Sequence, residues 1–163
     1  MQEVGEMKSD VLSTPGHLIS LAARGFLRLS EARLKPLGFG VGQVPVLIAL
    51  QDGVADRQRD LARFAKIEQP SMAQMLARME RGGLIFRTPD ADDGRSRRIA
   101  LTDVAQARLP DACMTLLEGN REALSGFTDE EAEQFVALLK RLIANLDRLT
   151  NDETAPAANE LPD

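Results

Sequence analysis

The sequence predicts a mainly α protein with one small β-hairpin. Two short helices and the hairpin follow one another between two long amphipathic helices. Three observations carry this reading. Apolar residues recur at three- and four-residue spacing through most of the 163 residues. The helical period breaks only at "LIFRTPDADDGRSRRIALT". The core must also be aliphatic, since the chain has six Phe and six Met but no Trp or Tyr, and 44% apolar residues; that composition suits helices better than an all-β fold.

Residues 1–14 are expected to be a flexible lead. "MQEVGEMKSD" has neither a basic n-region nor an apolar h-region, so no secretory signal is predicted. From Leu18 to Leu37, the residues Leu18, Leu21, Ala22, Phe26, Leu29 and Leu37 form one stripe, read as a long helix that stops near Pro36-Leu37-Gly38. "GVGQVPVLIALQDG" is a short, very apolar helix between glycines, with Pro45 tolerable only in its first turn. "DRQRDLARFAKI" is a third helix with Leu61, Phe64 and Ala65 inward and Asp56 as its cap. "EQPSMAQMLARMERGG" is a fourth, with Pro70 in its first turn and Gly82-Gly83 at its end. Met72, Met75, Leu76 and Met79 make its apolar stripe, opposite Ser71, Gln74, Arg78 and Arg81.

The hairpin follows, its short apolar runs flanking a turn-rich centre that holds Pro89 and Asp93-Gly94. Thr102 can cap a helix over about 103–125, which Pro110 should bend or break. Thr128 and Glu131 make a capping box. Behind it Ala132, Phe135, Val136, Leu139, Leu142, Ile143, Leu146 and Leu149 keep nearly unbroken 3-4 spacing. Residues 151–163 lack an apolar face and are read as a disordered tail.

Charge is unevenly spread. The chain carries net −5, yet Arg57 to Arg98 holds ten Lys/Arg against six Asp/Glu, or +4. A basic island in an acidic molecule can bind anions while the flanks keep it soluble. Two short helices joined by a tight connection and followed at once by a hairpin is the order of a winged helix-turn-helix, whose second helix enters the major groove. Ser71, Ala73 and Gln74 are small or hydrogen-bonding, as close approach to base edges requires, and Gln69, Arg78 and Arg81 share that helix. The alternative is an ordinary solvated face, which uses the same residue types. At the hairpin tip, Arg95, Arg97 and Arg98 can reach past the protein body into a narrow minor groove. Asp93 is read as a brace paired with a nearby arginine. The alternative there is a solvated loop of mixed charge.

Element order together with "DGRSRRIALT" resembles the MarR family of winged-helix transcriptional regulators over about residues 15–150. The family's D-x-R, five-residue gap, L-T wing signature is met by Asp93, Arg95, Leu101 and Thr102. "LARMERGGLIFRTPDADDGRSRRIALT" fits its helix-then-wing segment, and "GFGVGQVPVLIAL" its second helix. The resemblance implies a DNA-binding lobe over about 41–102, a recognition helix over 69–81, Arg95 at the minor groove and Asp93 stabilising the wing. It also implies dimerisation through 15–37 and 103–149, with Leu18, Leu21, Phe26, Phe135, Leu139, Leu142, Leu146 and Leu149 as the apolar contacts. The stripes argue for a homodimer independently, because large exposed apolar patches are rare on monomers; an intramolecular bundle is the alternative for the last helix. A two-fold dimer should read a pseudo-palindromic operator in double-stranded DNA, with half-sites roughly 34–36 Å apart.

The predicted function is a cytoplasmic transcriptional regulator, a repressor released by a small aromatic or anionic effector that the resemblance implies. His17 is a ligand-binding candidate, against the more ordinary reading of a solvated or capping histidine. Cys113, the only cysteine, excludes a disulfide framework within one chain and is read as an inert thiol. One His and one Cys cannot supply a zinc-sensor cluster, so no metal and no cofactor is expected. No Gly-rich phosphate loop and no nucleophile–base pair is present, so an enzyme is not predicted. A helical protein-interaction module that does not bind DNA is the alternative function. No apolar run approaches the roughly 18–20 residues a membrane helix needs.

Overall fold

The first long helix, α1, runs Pro15–Leu34 because both of its ends are chemically specified. Thr14 is extended at the N-cap and its hydroxyl accepts from the His17 backbone N–H at 3.4 Å, while Pro15 fills the first turn. The expected helix to Leu37 changes character after Leu34. Lys35–Leu37 tighten into a 3-10 turn closed by Gly38 at φ 82°, since Pro36 brings no N–H to an α-helical bond. The computed structural model describes residues 10–90 and 97–154, with side chains to 150. Residues 10–12 are already helical, ahead of the expected boundary at 14.

After a second 3-10 turn at Val41–Gln43, α2 spans Val44–Gln51 with Pro45 in its first turn. Val44, Val46, Leu47 and Ala49 are buried in it, which is why the helix is apolar all round. α3 is Gln58–Ala65 and α4 is Gln69–Arg81. Three residues join them, and Lys66 takes the left-handed conformation at φ 52° that the tight turn requires. In α3 the buried pair is Leu61 and Ala62, with Ala65 half-buried, and Phe64 is 45% exposed. That corrects the expected inward Phe64: small Ala62 takes the inward place, which lets α3 and α4 approach closely.

Strand β1, Ile85–Pro89, pairs antiparallel with β2, Arg97–Leu101, in the register Ile85↔Leu101 to Pro89↔Arg97. Pro89 ends β1 instead of lying in the turn. Ile85, Ile99 and Leu101 point inward and close the core with Leu34, Leu47, Leu61, Met72, Leu76 and Met79. Asp56 adds a third rung, its carbonyl accepting the Ile99 N–H at 2.8 Å.

Helix α5, Asp103–Ala123, continues through Pro110, so of the expected bend or break, the break does not occur. Proline leaves the Gln106 carbonyl without its helical donor, but both residues are exposed and water can serve it. The chain divides into two compact units, the first ending at Arg121 and the second beginning at Glu122. In the second, Thr128 and Glu131 form the expected capping box, at 3.2 and 2.8 Å, and α6 runs Asp129–Thr154. It outlasts the expected end at 150, so residues 151–154, assigned to the tail, are helical; 155–163 lie outside the described residues.

Candidate nucleic-acid interface

Helix α4 is held from one side and open on the other. Met72, Leu76 and Met79 have no exposed surface, and Met75 packs partly against the same cluster. A helix seated by residues at i, i+4 and i+7 must turn the intervening ones outward. Ser71, Gln74, Arg78 and Arg81 are accordingly exposed, and Gln69 stands exposed at the first position of the helix. The Gln58 side-chain amide donates to Gln69 Oε1 at 3.3 Å and links the two helices beside the turn. The sequence-predicted face of α4 is thus brought together on one surface.

The wing arginines divide. Arg97 is exposed at the start of β2. Arg95 and its expected brace Asp93 lie outside the described residues. Arg98 departs from expectation, because its guanidinium is engaged within the chain: Nη1 donates to Asp56 Oδ2 at 2.6 Å and Nε lies 3.3 Å from Asp90 Oδ1. Hydrogen bonding to Asp56 first, then to Asp90, raises the Arg98 pKa further above its ordinary value. Asp90 is buried, and its other oxygen receives Arg57 Nη2 at 2.5 Å. Arg98, expected at the DNA, is thus also part of a wing-base brace, together with Asp56, Asp90 and Arg57.

Sequence reasoning missed this group. Asp56 was expected to cap α3, yet the N-cap is Arg57 without a side-chain cap bond, and the Asp56 carboxylate turns to Arg98 instead. The partners lie 33 and 42 residues apart in the chain, a separation that no local spacing rule reads.

Thr102 serves two elements at once. Its hydroxyl donates to the Gly83 carbonyl at 2.7 Å and accepts from the Ala105 N–H at 3.2 Å, while its own N–H bonds Leu84 O at 3.1 Å. It caps α5 and ties the hairpin exit to the α4 exit. Thr102→Val keeps the shape and loses the hydroxyl's bonds to Gly83, Leu84 and Ala105, so it should lower stability by about 1–2 kcal/mol, read by chemical denaturation.

The remaining candidates fall elsewhere. His17 is half-buried in the first turn of α1, where its backbone N–H serves the cap. Cys113 is half-buried against the core. Leu18, Leu21, Phe135, Leu146 and Leu149 are exposed in the single chain, with Phe26, Leu139 and Leu142 half-buried. Among the described residues no group of three or more His, Cys, Asp or Glu could hold a metal ion. No single described helix is long and apolar enough to cross a membrane.

A short helix, a tight turn, a second helix with an open polar face and an adjoining hairpin define a winged helix-turn-helix protein. The solved structures agree. A probable transcriptional regulator from Pseudomonas aeruginosa superposes with TM-score 0.75 at 26% identity, covering 81% of this chain and 98% of its own. A MarR transcriptional regulator from Methanosarcina mazei gives 0.73 at 26%, covering 82% and 96%. A mutant MarR from E. coli complexed with operator DNA gives 0.72 at 23%, covering 78% and 91%. Residues 37–96, which span α2 to β1 and end just before β2, match the model of the MarR family. Over that segment the chain is similar to the MarR family, and its fold is that of solved transcriptional regulators.

Proposed function

We propose that the chain is a homodimeric, sequence-specific binder of double-stranded DNA that acts in the cytoplasm as a repressor released by a small-molecule effector. The observation that carries DNA binding is the exposed row Ser71, Gln74, Arg78 and Arg81 on a helix anchored by three fully buried side chains. The E. coli relative in complex with operator DNA supports the same reading. Gln69, Ser71 and Gln74 address base edges, Arg78 and Arg81 hold phosphate or guanine, and Arg95 and Arg97 carry the wing contacts, with Asp93 stabilising the wing. Residues 41–102 form the DNA-binding lobe, while 15–37 and 103–149 pair two copies. An effector releases DNA only by binding the DNA-incompetent spacing of the two lobes more tightly; His17 is the residue to test first for contact with it.

The experiment is selection of bound duplex from a random pool, followed by gel shifts across a salt series. A DNA binder gives a log affinity that falls linearly with log salt, as counterions are released. A flat salt response, or no enriched motif, would remove this reading. Within the same assay Arg95→Ala should weaken operator binding by about 1–3 kcal/mol without unfolding the protein. An unchanged midpoint at matched salt would take Arg95 out of the interface. Gln74→Ala should change the selected motif more than the non-specific affinity. Recovery of the same motif would mean that Gln74 reads no base.

A further inference from the structure

We propose that Asp90 is the positioning residue of the wing: its buried carboxylate, clamped between Arg57 and Arg98, fixes the hairpin stem against the start of α3. The inference deepens the DNA-binding reading and rests on it for its effect on affinity, though not for the clamp itself.

Four charged side chains from three separate parts of the chain meet here. Asp90 directly follows β1, Arg98 belongs to β2, and Asp56 and Arg57 precede α3. The Asp90 side chain has no exposed surface, so an unpaired charge there would be costly. It receives Arg57 on Oδ2 and Arg98 on Oδ1, at 2.5 and 3.3 Å, and Asp56 takes the Nη1 edge of Arg98. Among the described residues, two guanidinium groups face two carboxylates.

Each of these two arginines is engaged by a carboxylate of its own chain, so the value of the group lies in geometry. A two-stranded hairpin is marginal alone, and among the described residues its backbone link toward α3 is the single bond from Ile99 N–H to Asp56 O. The clamp grips the same place through side chains, immediately before residue 91 and immediately after residue 97. The segment 91–96, which carries Arg95, departs from a stem whose position relative to the helix-turn-helix is set by Asp90. Arg57 and Arg98 thereby act through Asp90 on where the wing meets DNA, and not as direct DNA contacts.

The test is Asp90→Asn in the full chain, which keeps the shape and an acceptor oxygen while removing the charge. Without DNA, hydrogen exchange at the Ile99 amide should become about tenfold faster while α4 amides hold their rates, as expected for local opening of the stem. With DNA, affinity for the selected operator should fall about tenfold while a scrambled duplex at the same salt binds as well or better. Unchanged exchange at Ile99, or equal shifts on both duplexes, would overturn the proposal. Stronger binding to both duplexes would instead make Asp90 a charge mask and overturn it too. If the natural sequence binds no duplex, the DNA-binding reading fails by itself and the exchange measurement still decides the clamp. Should Asp90→Asn not fold, Arg57→Gln opens one arm, leaves the Asp90–Arg98 pair, and is judged by the same two readouts.

Discussion

Leu146→Asp is expected to turn the protein into a monomer while leaving its helix content unchanged. Leu146 is 50% exposed on α6, between Ile143 at 49% and Leu149 at 61%. Phe135, Val136 and Leu138 continue the exposed apolar surface toward the start of the helix. So much apolar surface on one helix is costly to leave in water, and a second copy is the cover that the dimer reading supplies. The position makes the test clean. In a lone chain the new carboxylate sits in solvent and costs little, whereas in a dimer it is desolvated, at a penalty of several kcal/mol. Two-fold symmetry places the substitution in the interface twice. Each 1.4 kcal/mol is about tenfold in affinity, so the dimer should weaken by more than about a hundredfold. Leu142→Asp tests the same stripe less cleanly, because Leu142 is half-buried within its own chain. Sedimentation velocity at micromolar concentration reads the outcome, and an intact dimer would return the stripe to an intramolecular role. Operator binding should fall with dimerisation, since a monomer presents one recognition helix to a two-half-site target.

What could be read before folding follows from which physics is local. Helix faces are set by a 3.6-residue period, so the inward Met72, Leu76 and Met79 and the outward Ser71, Gln74, Arg78 and Arg81 were legible in the letters. Caps are local too: Thr102 and the Thr128–Glu131 box act over three residues. Tertiary choices were not legible. Whether Phe64 or Ala62 faces the core depends on how closely α4 approaches, and the same letters permit either. Pro110 was expected to bend or break its helix because the rule concerns a lost bond, yet an exposed carbonyl can take water instead and the helix continues. The wing base was the largest miss. Strand alternation says which face Arg98 occupies, but not that the segment holding Asp56 and Arg57 runs alongside β2. An arginine next to a turn therefore read only as a DNA contact, and its bonds to Asp56 and Asp90 were not foreseen. Arg98 and Arg95 are three residues apart in one basic run, and only the fold assigns the first of them to the brace.

Leu76→Ala should cost about 2–5 kcal/mol of stability, a large share of the roughly 5–15 kcal/mol that holds a domain of this size. Leu76 is wholly buried, and it sits between Met72 and Met79 in the seam that seats α4 on the core. Truncation removes transfer energy and leaves a cavity that its neighbours fill incompletely. Two of those neighbours are methionines, flexible enough to lean into the gap, so the cost should lie in the lower half of that range. The measurement is chemical denaturation of the full chain with and without the substitution. The contrast with Gln74→Ala is what gives the result meaning. Gln74 stands two residues earlier on the same helix and faces solvent, so its truncation should leave the denaturation midpoint within about 0.5 kcal/mol of the natural chain. Leu76→Ala should lose DNA affinity only as its folded fraction falls, and recover it on cooling toward the temperature of maximum stability. Gln74→Ala should lose preference at every temperature. If both substitutions destabilised alike, α4 would be buried on both sides, and the face proposed to read DNA would not be available to it.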